Sequence, residues 1–360
     1  MARRVGICTG GGDAPGLNAV IRGFVRRAST QLGWEVVGIE DSFGGLLDTP
    51  RRLITLDSQA TRGLVRRGGT VLGTTNRGNP FRYTRSDGET VDVAPELARA
   101  VREESLEGLV CIGGDGTQAI ALQLMEEVGI PVVGVPKTID NDLSATDVTF
   151  GFQTAVDIAT EALDRLQTTA ESHDRVLFLE VMGRDAGHIA LHAGIAGGAD
   201  IILLPELPYS PERIATSIRR RAEQGRCFSV VIVAEGALPV EDCEGRTHDQ
   251  RKERLKAGGG AANIAMMNLD GRLKAEMRTC VLGHIQRGGS PVPFDRILAT
   301  RFGVAAGDLV DQGRWGEMVR LHNGSVSGVP IREAISTYKL VDPEGELVRT
   351  ARAVGVEFGA

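Results

Sequence analysis

The chain has 360 residues, 42% of them hydrophobic and 24% charged, with a formal net charge of −6. That balance is ordinary for a soluble globular protein, and the length exceeds one simple core and favours two lobes. A net negative charge and only 4% aromatic residues argue against general nucleic-acid or membrane-surface binding, which needs a basic field and, for single strands, stacking rings.

Apolar runs and helical periodicity alternate along the chain. Residues 4–8 read as a strand, followed by a glycine-rich loop, an amphipathic helix over 17–32 and a strand over 35–40. A helix is predicted over 95–106, a strand over 109–112, a helix over 117–128 and a strand over 131–135. Past Gly151 the pattern restarts with a helix over 153–170, strands over 175–181 and 201–204, a helix over 211–224 and a strand over 229–234. The polar stretch 239–261 reads as a surface excursion of loop and short helix, before a helix over 293–313 and a strand over 318–321. The expected fold class is α/β, with two doubly wound lobes of mainly parallel sheet covered by helices and a boundary near residues 150–152.

No apolar stretch is long enough for a membrane span, and MARRVGICTGGG lacks a secretory signal's apolar region and cleavage site. The five cysteines are odd in number, show no CxxC spacing, and include Cys8 and Cys111 in predicted strands. A reducing, cytoplasmic location is the expectation. His188 and His192 share a helical face, but HIALH lacks the glutamate of a zincin, so two ordinary helix histidines are expected there.

The chemistry concentrates in loops that follow strands. In PKTIDND, Thr138, Asp140 and Asp142 stand just past the strand over 131–135, at a strand's carboxyl end, where ligands bind in open parallel sheets. A carboxylate there can hold a metal or take a proton from a hydroxyl, or can simply cap a helix. The loop TGGGDAPG brings glycine backbone N–H groups toward a phosphate, yet fits neither GxGxxG nor a Walker A loop. In GGDGT, Gly114 and Gly116 open space around Asp115, a carboxylate suited to magnesium or its waters, and the next helix supplies further N–H donors. GGDGT also resembles the loop of NAD kinases and diacylglycerol kinases, so it points to nucleotide phosphoryl transfer more securely than to a substrate. MGR (182–184) and GHIQRGG (283–289) set a guanidinium and an imidazole among glycines, which suits a small phosphate ester.

Taken together in order, TGGGDAPGLNAVIRG, GGDGT, PKTIDND, EVMGR, AEGA and VLGHIQRGGSPVPFDRILA resemble the phosphofructokinase family over most of the chain. The resemblance implies phosphorylation of the 1-hydroxyl of fructose 6-phosphate to fructose 1,6-bisphosphate, with Mg²⁺ and ATP. It implies a nucleotide and magnesium lobe of residues 1–151 plus about 286–335, and a sugar-phosphate lobe of 152–285 plus about 336–360. Asp140 is then the general base. Thr138 and the Gly12 backbone stabilise the transferring phosphoryl, Arg184 joins the catalytic set, and Asp115 holds the metal. Gly12, Arg77, Gly114, Asp115, Gly116 and Thr117 would face the nucleotide. The sugar phosphate would meet Thr138, Ile139, Asp140, Met182, Gly183, Arg184, Glu235, His284, Ile285, Gln286 and Arg287. Arg175 and Arg278 resemble arginines that reach the sugar phosphate from a neighbouring subunit, which implies a dimer or tetramer with shared sites.

The chain departs from the family pattern at three places. Thr75-Asn76-Arg77 stands where many bacterial ATP enzymes have an arginine near the γ-phosphate, so Arg77 would fill that role from one place further on, or the role is lost. Arg22 and Arg26 fit an effector site, but Gln167 replaces an arginine of allosteric members. Finally, the donor markers disagree: Gly116 matches ATP enzymes, whereas Lys137 matches those using pyrophosphate. Gly116 should decide for ATP, because a carboxylate there would repel a nucleotide's α-phosphate, with pyrophosphate as the alternative donor. A NAD or lipid kinase does not require PKTIDND or GHIQRGG. A silent regulatory subunit would not retain Asp140, Asp115, Arg184 and Arg287.

Overall fold

The structure is a computed structural model that describes residues 3–85 and 87–360. The chain forms two compact units: one comprises Met1–Ile139, Leu143–Gln153 and Arg287–Tyr338, the other Asp140–Asp142, Thr154–Gln286 and Lys339–Ala360.

In the first unit, runs such as VGIC, LVCI and VVGV are apolar on both faces, which is the pattern of strands covered by helices on either side. They form β1 (Arg4–Thr9), β2 (Glu35–Ile39), β3 (Leu53–Leu56), then, after a short hairpin of β4 (Tyr83–Thr84) and β5 (Thr90–Val91), β6 (Leu109–Gly113) and β7 (Val132–Pro136). The second unit contributes β8 (Val176–Val181), β9 (Ile201–Leu203), β10 (Ser229–Ala234) and β11 (Met277–Val281). The chain returns to the first unit with β12 (Glu317–His322) and β13 (Ser325–Pro330).

The first unit's sheet runs β13-β12-β7-β6-β1-β2-β3. Its five central strands are parallel, and only the outer pairs β2–β3 and β12–β13 are antiparallel. From β1 the chain moves outward to β2 and β3, then returns to the other side of β1 for β6 and β7. The strand order therefore reverses between β1 and β6, and the carboxyl ends of β7, β6 and β1 lie side by side at that reversal. Such a switch point is where an open α/β sheet receives ligands. Core clusters cover both faces: Val5, Ile7, Val110, Ile112, Val133 and Val135 point one way, Cys8, Leu109, Cys111 and Val132 the other.

The helix Leu17–Val25 is buried at eight of its nine positions and packs on Pro293–Asp311 through mutual glycines. A Cβ at Gly23 would lie 2.7 Å from the Thr300 carbonyl oxygen, and one at Gly303 would lie 2.3 Å from that of Val20, so only glycine lets the two backbones meet. This contact anchors the helix that follows the first glycine-rich loop.

The second unit holds a four-stranded, wholly parallel sheet in the order β11-β8-β10-β9. Here too the order reverses beside a strand: β8 lies between β10 and β11, and the loops after these three strands carry MGR, Glu235 and GHIQR.

The α/β class with mainly parallel, helix-covered sheets is what the alternation predicts. Among the elements the sequence reading did not see are β3, the β4–β5 hairpin, β11, β13 and the helices Gly44–Leu47, Ala261–Leu269, Ile331–Ala334 and Glu346–Ala353. The helix predicted over 17–32 is α only to Val25, and Arg26–Gln31 continues as a π-helix. The helix after GGDG begins at Asp115 rather than Thr117. The polar stretch forms Val240–Cys243 and His248–Ala257, the latter with a Thr247–Gln250 capping box and no buried residue.

Candidate active site

Three loops of the first unit are stitched together at the switch point. The first glycine loop leaves β1, and its Gly10 N–H donates to the Ile112 carbonyl (2.9 Å) at the end of β6. Lys137, just past β7, donates its backbone N–H to Gly113 O (2.9 Å), while its buried ammonium donates to Gly12 O. Gln118 is fully buried, and its amide nitrogen sits 3.0–3.2 Å from the carbonyl oxygens of Val135, Gly113 and Cys111. Thr74 Oγ1 donates to Gly11 O (2.6 Å), and Gly11 N–H donates to Thr75 O (3.1 Å). Arg287 also reaches the first loop, with Nη1 donating to Asp13 O at 3.1 Å.

Among the residues expected to face a nucleotide, Asp115 is half-buried on the first turn of the helix Asp115–Val128 and accepts a hydrogen bond from the Tyr338 hydroxyl (2.7 Å). Gly116 is exposed, and a Cβ built there meets nothing within 4 Å, so the space beside it is open. Thr117 differs from the expectation. Its side chain is buried under the loops, where a Cβ at Gly113 would lie 2.2 Å from its own Cβ, so it supports the glycines from below. Arg77 is exposed, and its neighbour Asn76 places Oδ1 4.0 Å from where a Cβ on Gly11 would stand, behind Lys137 Nζ at 3.5 Å and Thr117 Oγ1 at 3.6 Å. Thr138 is buried, with its carbonyl accepting from Thr149 Oγ1 (2.7 Å). Ile139 is fully buried, so its side chain belongs to the core rather than to a ligand.

In the second unit, the Asp140 carboxylate is 4% exposed, and Arg184 Nε lies 3.6 Å from its Oδ2. Gly183 (φ 141°) and Arg184 (φ 53°) form a turn that exposes the guanidinium. Glu235 holds that turn: one carboxylate oxygen accepts from Gly183 N (3.1 Å) and Arg184 N (2.7 Å). Gln286, expected to touch the sugar, has a fully buried side chain whose Oε1 accepts from Met182 N (2.8 Å), so it braces the turn from beneath. His284 and Ile285 are exposed on the short helix Gly283–Arg287. Arg175 and Arg278 meet on Glu276 beside the exposed edge strand β11, with Arg175 Nε 2.8 Å from Glu276 Oε2.

Several partners of these residues carry no motif and escaped sequence reasoning. Tyr338 and Gln118 have been described. Lys339 Nζ donates to Asn141 Oδ1 (3.1 Å) within the acidic loop. Glu206, whose pKa is raised by burial, accepts from Val341 N (2.8 Å) and Gly187 N (2.9 Å). Gln167, read in the sequence as a departure from an effector-site pattern, donates to the carbonyls of Gly197 (2.7 Å) and Gly198 (3.1 Å) and so has a structural task at a helix end. Among the described residues no group of three His, Cys, Asp or Glu could cage a metal. A lone, partly exposed carboxylate on a helix's first turn instead suits a hard cation that arrives with phosphate oxygens, since magnesium is commonly held by one or two carboxylates plus substrate phosphates. Asp115 fits that role.

A doubly wound sheet with glycine loops at its switch point, beside a metal-type carboxylate, defines an enzyme of the phosphoryl-transferring α/β class. Comparison with known proteins narrows this. The phosphofructokinase pattern matches residues 4–310, and the chain belongs to the phosphofructokinase family. It is 50% identical to an ATP-dependent 6-phosphofructokinase of Chloroflexus aurantiacus, over 99% of this chain and 98% of that one. It is 46% identical to a pyrophosphate--fructose 6-phosphate 1-phosphotransferase of Streptomyces coelicolor, over 99% of this chain and all of the relative. A solved phosphofructokinase structure from Saccharomyces cerevisiae superposes with a TM-score of 0.77 at 29% identity, over 93% of this chain and 45% of that longer one. Among the described residues no helix is long and apolar enough to cross a membrane.

The histidine pair has a structural role. His188 Nε2 lies 2.9 Å from Lys339 O, and His192 Nδ1 lies 2.8 Å from His188 O. Burial is the main cause that lowers the His188 pKa from 6.5 to about 4, with the charges of Lys339 and His192 acting in the same direction. A histidine depressed in the folded state binds its proton more readily when unfolded, so its stabilising effect is complete above pH 6.5 and fades as pH falls toward 4. His188→Gln should therefore flatten the loss of stability between those values. Urea denaturation at closely spaced pH steps checks this, and an unchanged slope would contradict the assignment.

Proposed function

We propose that this chain transfers the γ-phosphoryl group of ATP to the 1-hydroxyl of fructose 6-phosphate, giving fructose 1,6-bisphosphate and ADP. The reading rests above all on the buried carboxylate of Asp140 beside the exposed guanidinium of Arg184. Asp140 takes the proton as the sugar oxygen bonds to phosphorus and the bridge to ADP breaks. Thr138 and the Gly12 backbone steady the charge of the moving phosphoryl, and Arg184 neutralises it. Mg²⁺, held by Asp115 when bound, screens the donor's phosphate oxygens. Catalysis of this kind is mainly positioning and charge stabilisation. His284 and Arg287 are assigned to the 6-phosphate, and Met182, Gly183 and Glu235 to the sugar side. The unit that carries the glycine loops is assigned to the nucleotide and the unit that carries MGR to the sugar phosphate.

ATP is favoured over pyrophosphate because Gly116 leaves room for an α-phosphate. The ammonium of Lys137, the marker on the other side, is engaged by Gly12 O, which makes it a strut of the first loop as much as a donor ligand. A second copy of the chain is the proposed partner. The edge strand β11 and the following turn leave Val281 53% and Ile285 66% exposed next to the Arg175–Glu276–Arg278 cluster, as suits an edge covered by association.

Three measurements test these assignments. Asp140→Asn should lower kcat by about 10²–10⁴-fold, the range for loss of a general base, and near-normal turnover in a folded variant would remove Asp140 from the mechanism. For the donor, coupled assays should show turnover with Mg-ATP and little with pyrophosphate. Gly116→Asp, which has room to fit, should cut ATP use at least several-fold, because a like charge at about 4 Å is worth roughly 1 kcal/mol in water and about 4 at an intermediate effective dielectric. Activity with pyrophosphate alone would make Lys137 the determinant. For the assembly, Asp140→Asn and Arg278→Ala chains should regain partial activity when mixed in one oligomer, and silence in demonstrably mixed oligomers would mean that each site is built within one chain.

A further inference from the structure

Residues 337–341 lie beyond the stretch that matches the family and carry no motif, yet they touch its functional loops. Within the first unit, the Tyr338 hydroxyl donates to Asp115 Oδ2 (2.7 Å), Tyr338 forms an antiparallel bridge with Leu143, and Thr337 Oγ1 donates to Ser144 Oγ (3.0 Å). Within the second unit, Lys339 Nζ donates to Asn141 Oδ1 (3.1 Å) and its backbone N–H to Asp142 O (2.8 Å). The same stretch is fixed further along by His188 on Lys339 O and by Val341 N–H on Glu206.

Resting on the proposed function, we infer that Tyr338 and Lys339 are positioning residues of the phosphoryl-transfer site, Tyr338 acting through Asp115 and Lys339 through the acidic loop. Tyr338 is 63% exposed, so its ring adds little to the core, and the hydroxyl that meets Asp115 is its specific contribution. A carboxylate that meets a cation by one oxygen is oriented by what its other oxygen accepts. Such outer partners typically set metal affinity or activity by about 10–100-fold. Lys339 has a different task. Asn141 stands at φ 55°, in the left-handed region, directly between Asp140 and Asp142, and a bond to its side chain helps keep the loop in that conformation. Tyr338 thus holds the Asp115 carboxylate from the side within the first unit, and Lys339 fixes the loop that carries Asp140 within the second.

Tyr338→Phe removes only the hydroxyl, and Lys339→Met keeps the stem and removes the charge. Mn²⁺ titrated onto the enzyme with ATP and no sugar, followed by electron paramagnetic resonance, should bind about tenfold more weakly in Tyr338→Phe, with an unchanged melting temperature. Equal or tighter Mn²⁺ binding overturns the Asp115 role. In steady state, Tyr338→Phe should lower kcat about tenfold in the parent but add nothing in an Asp115→Asn background, and additive losses would show that it acts elsewhere. Lys339→Met should lower kcat about tenfold with Mn²⁺ binding unchanged, and an unaltered kcat overturns the loop role. Should the parent fail to phosphorylate fructose 6-phosphate, the proposed function falls, while the Mn²⁺ titration still decides whether Tyr338 orients Asp115.

Discussion

The ends of β7, β6 and β1 must be held together before any of their loops can act, and the backbone groups at those ends supply the means. Where parallel strands stop, their last carbonyls lose ladder partners and need donors from elsewhere. The Gln118 amide nitrogen adds a donor within 3.0–3.2 Å of three carbonyls on β6 and β7, those of Cys111, Gly113 and Val135, from the first turn of the helix that also carries Asp115. Gly134 makes this possible, because a Cβ there would lie 2.1 Å from Gln118 Oε1. Gly10 and Lys137 add backbone bonds across the same seam, and the Lys137 ammonium closes it onto Gly12. Within the first unit, the first glycine loop, the metal-type carboxylate's loop and the Lys137 segment after β7 are therefore one stitched edge rather than three independent turns.

The second unit solves an analogous problem by accepting local strain. Exposing the Arg184 guanidinium requires a turn in which a non-glycine residue takes a positive φ, a conformation that costs energy and persists only when its surroundings over-determine it. Glu235 and Gln286 supply that determination from neighbouring strand ends, one by accepting from the turn's amides and the other by bracing Met182. Both are motif residues whose motif membership conceals a supporting task. Buried acids elsewhere in this unit follow the same logic. Glu180 and Glu206 are shifted upward by burial and accept hydrogen bonds from backbone N–H groups, so they act as anchors for the chain around them.

The sequence alone determined the α/β alternation, the order of the motifs and the identity of the chemical groups, because strand and loop signals are local and glycine and carboxylate patterns announce phosphate chemistry by residue type. Asp115, Asp140 and Arg184 needed no coordinates to be singled out. Tertiary structure alone decided which motif side chains are left exposed at the loops and which hold the scaffold. Ile139, Thr117 and Gln286 sit inside functional motifs yet point into the protein, since burial depends on neighbours distant in sequence. Gln118, Tyr338 and Lys339 matter for the converse reason. Their partners lie up to 223 residues away, as for Tyr338 and Asp115, and no local pattern records a hydrogen bond that exists only once the chain has brought both ends to the same strand edge.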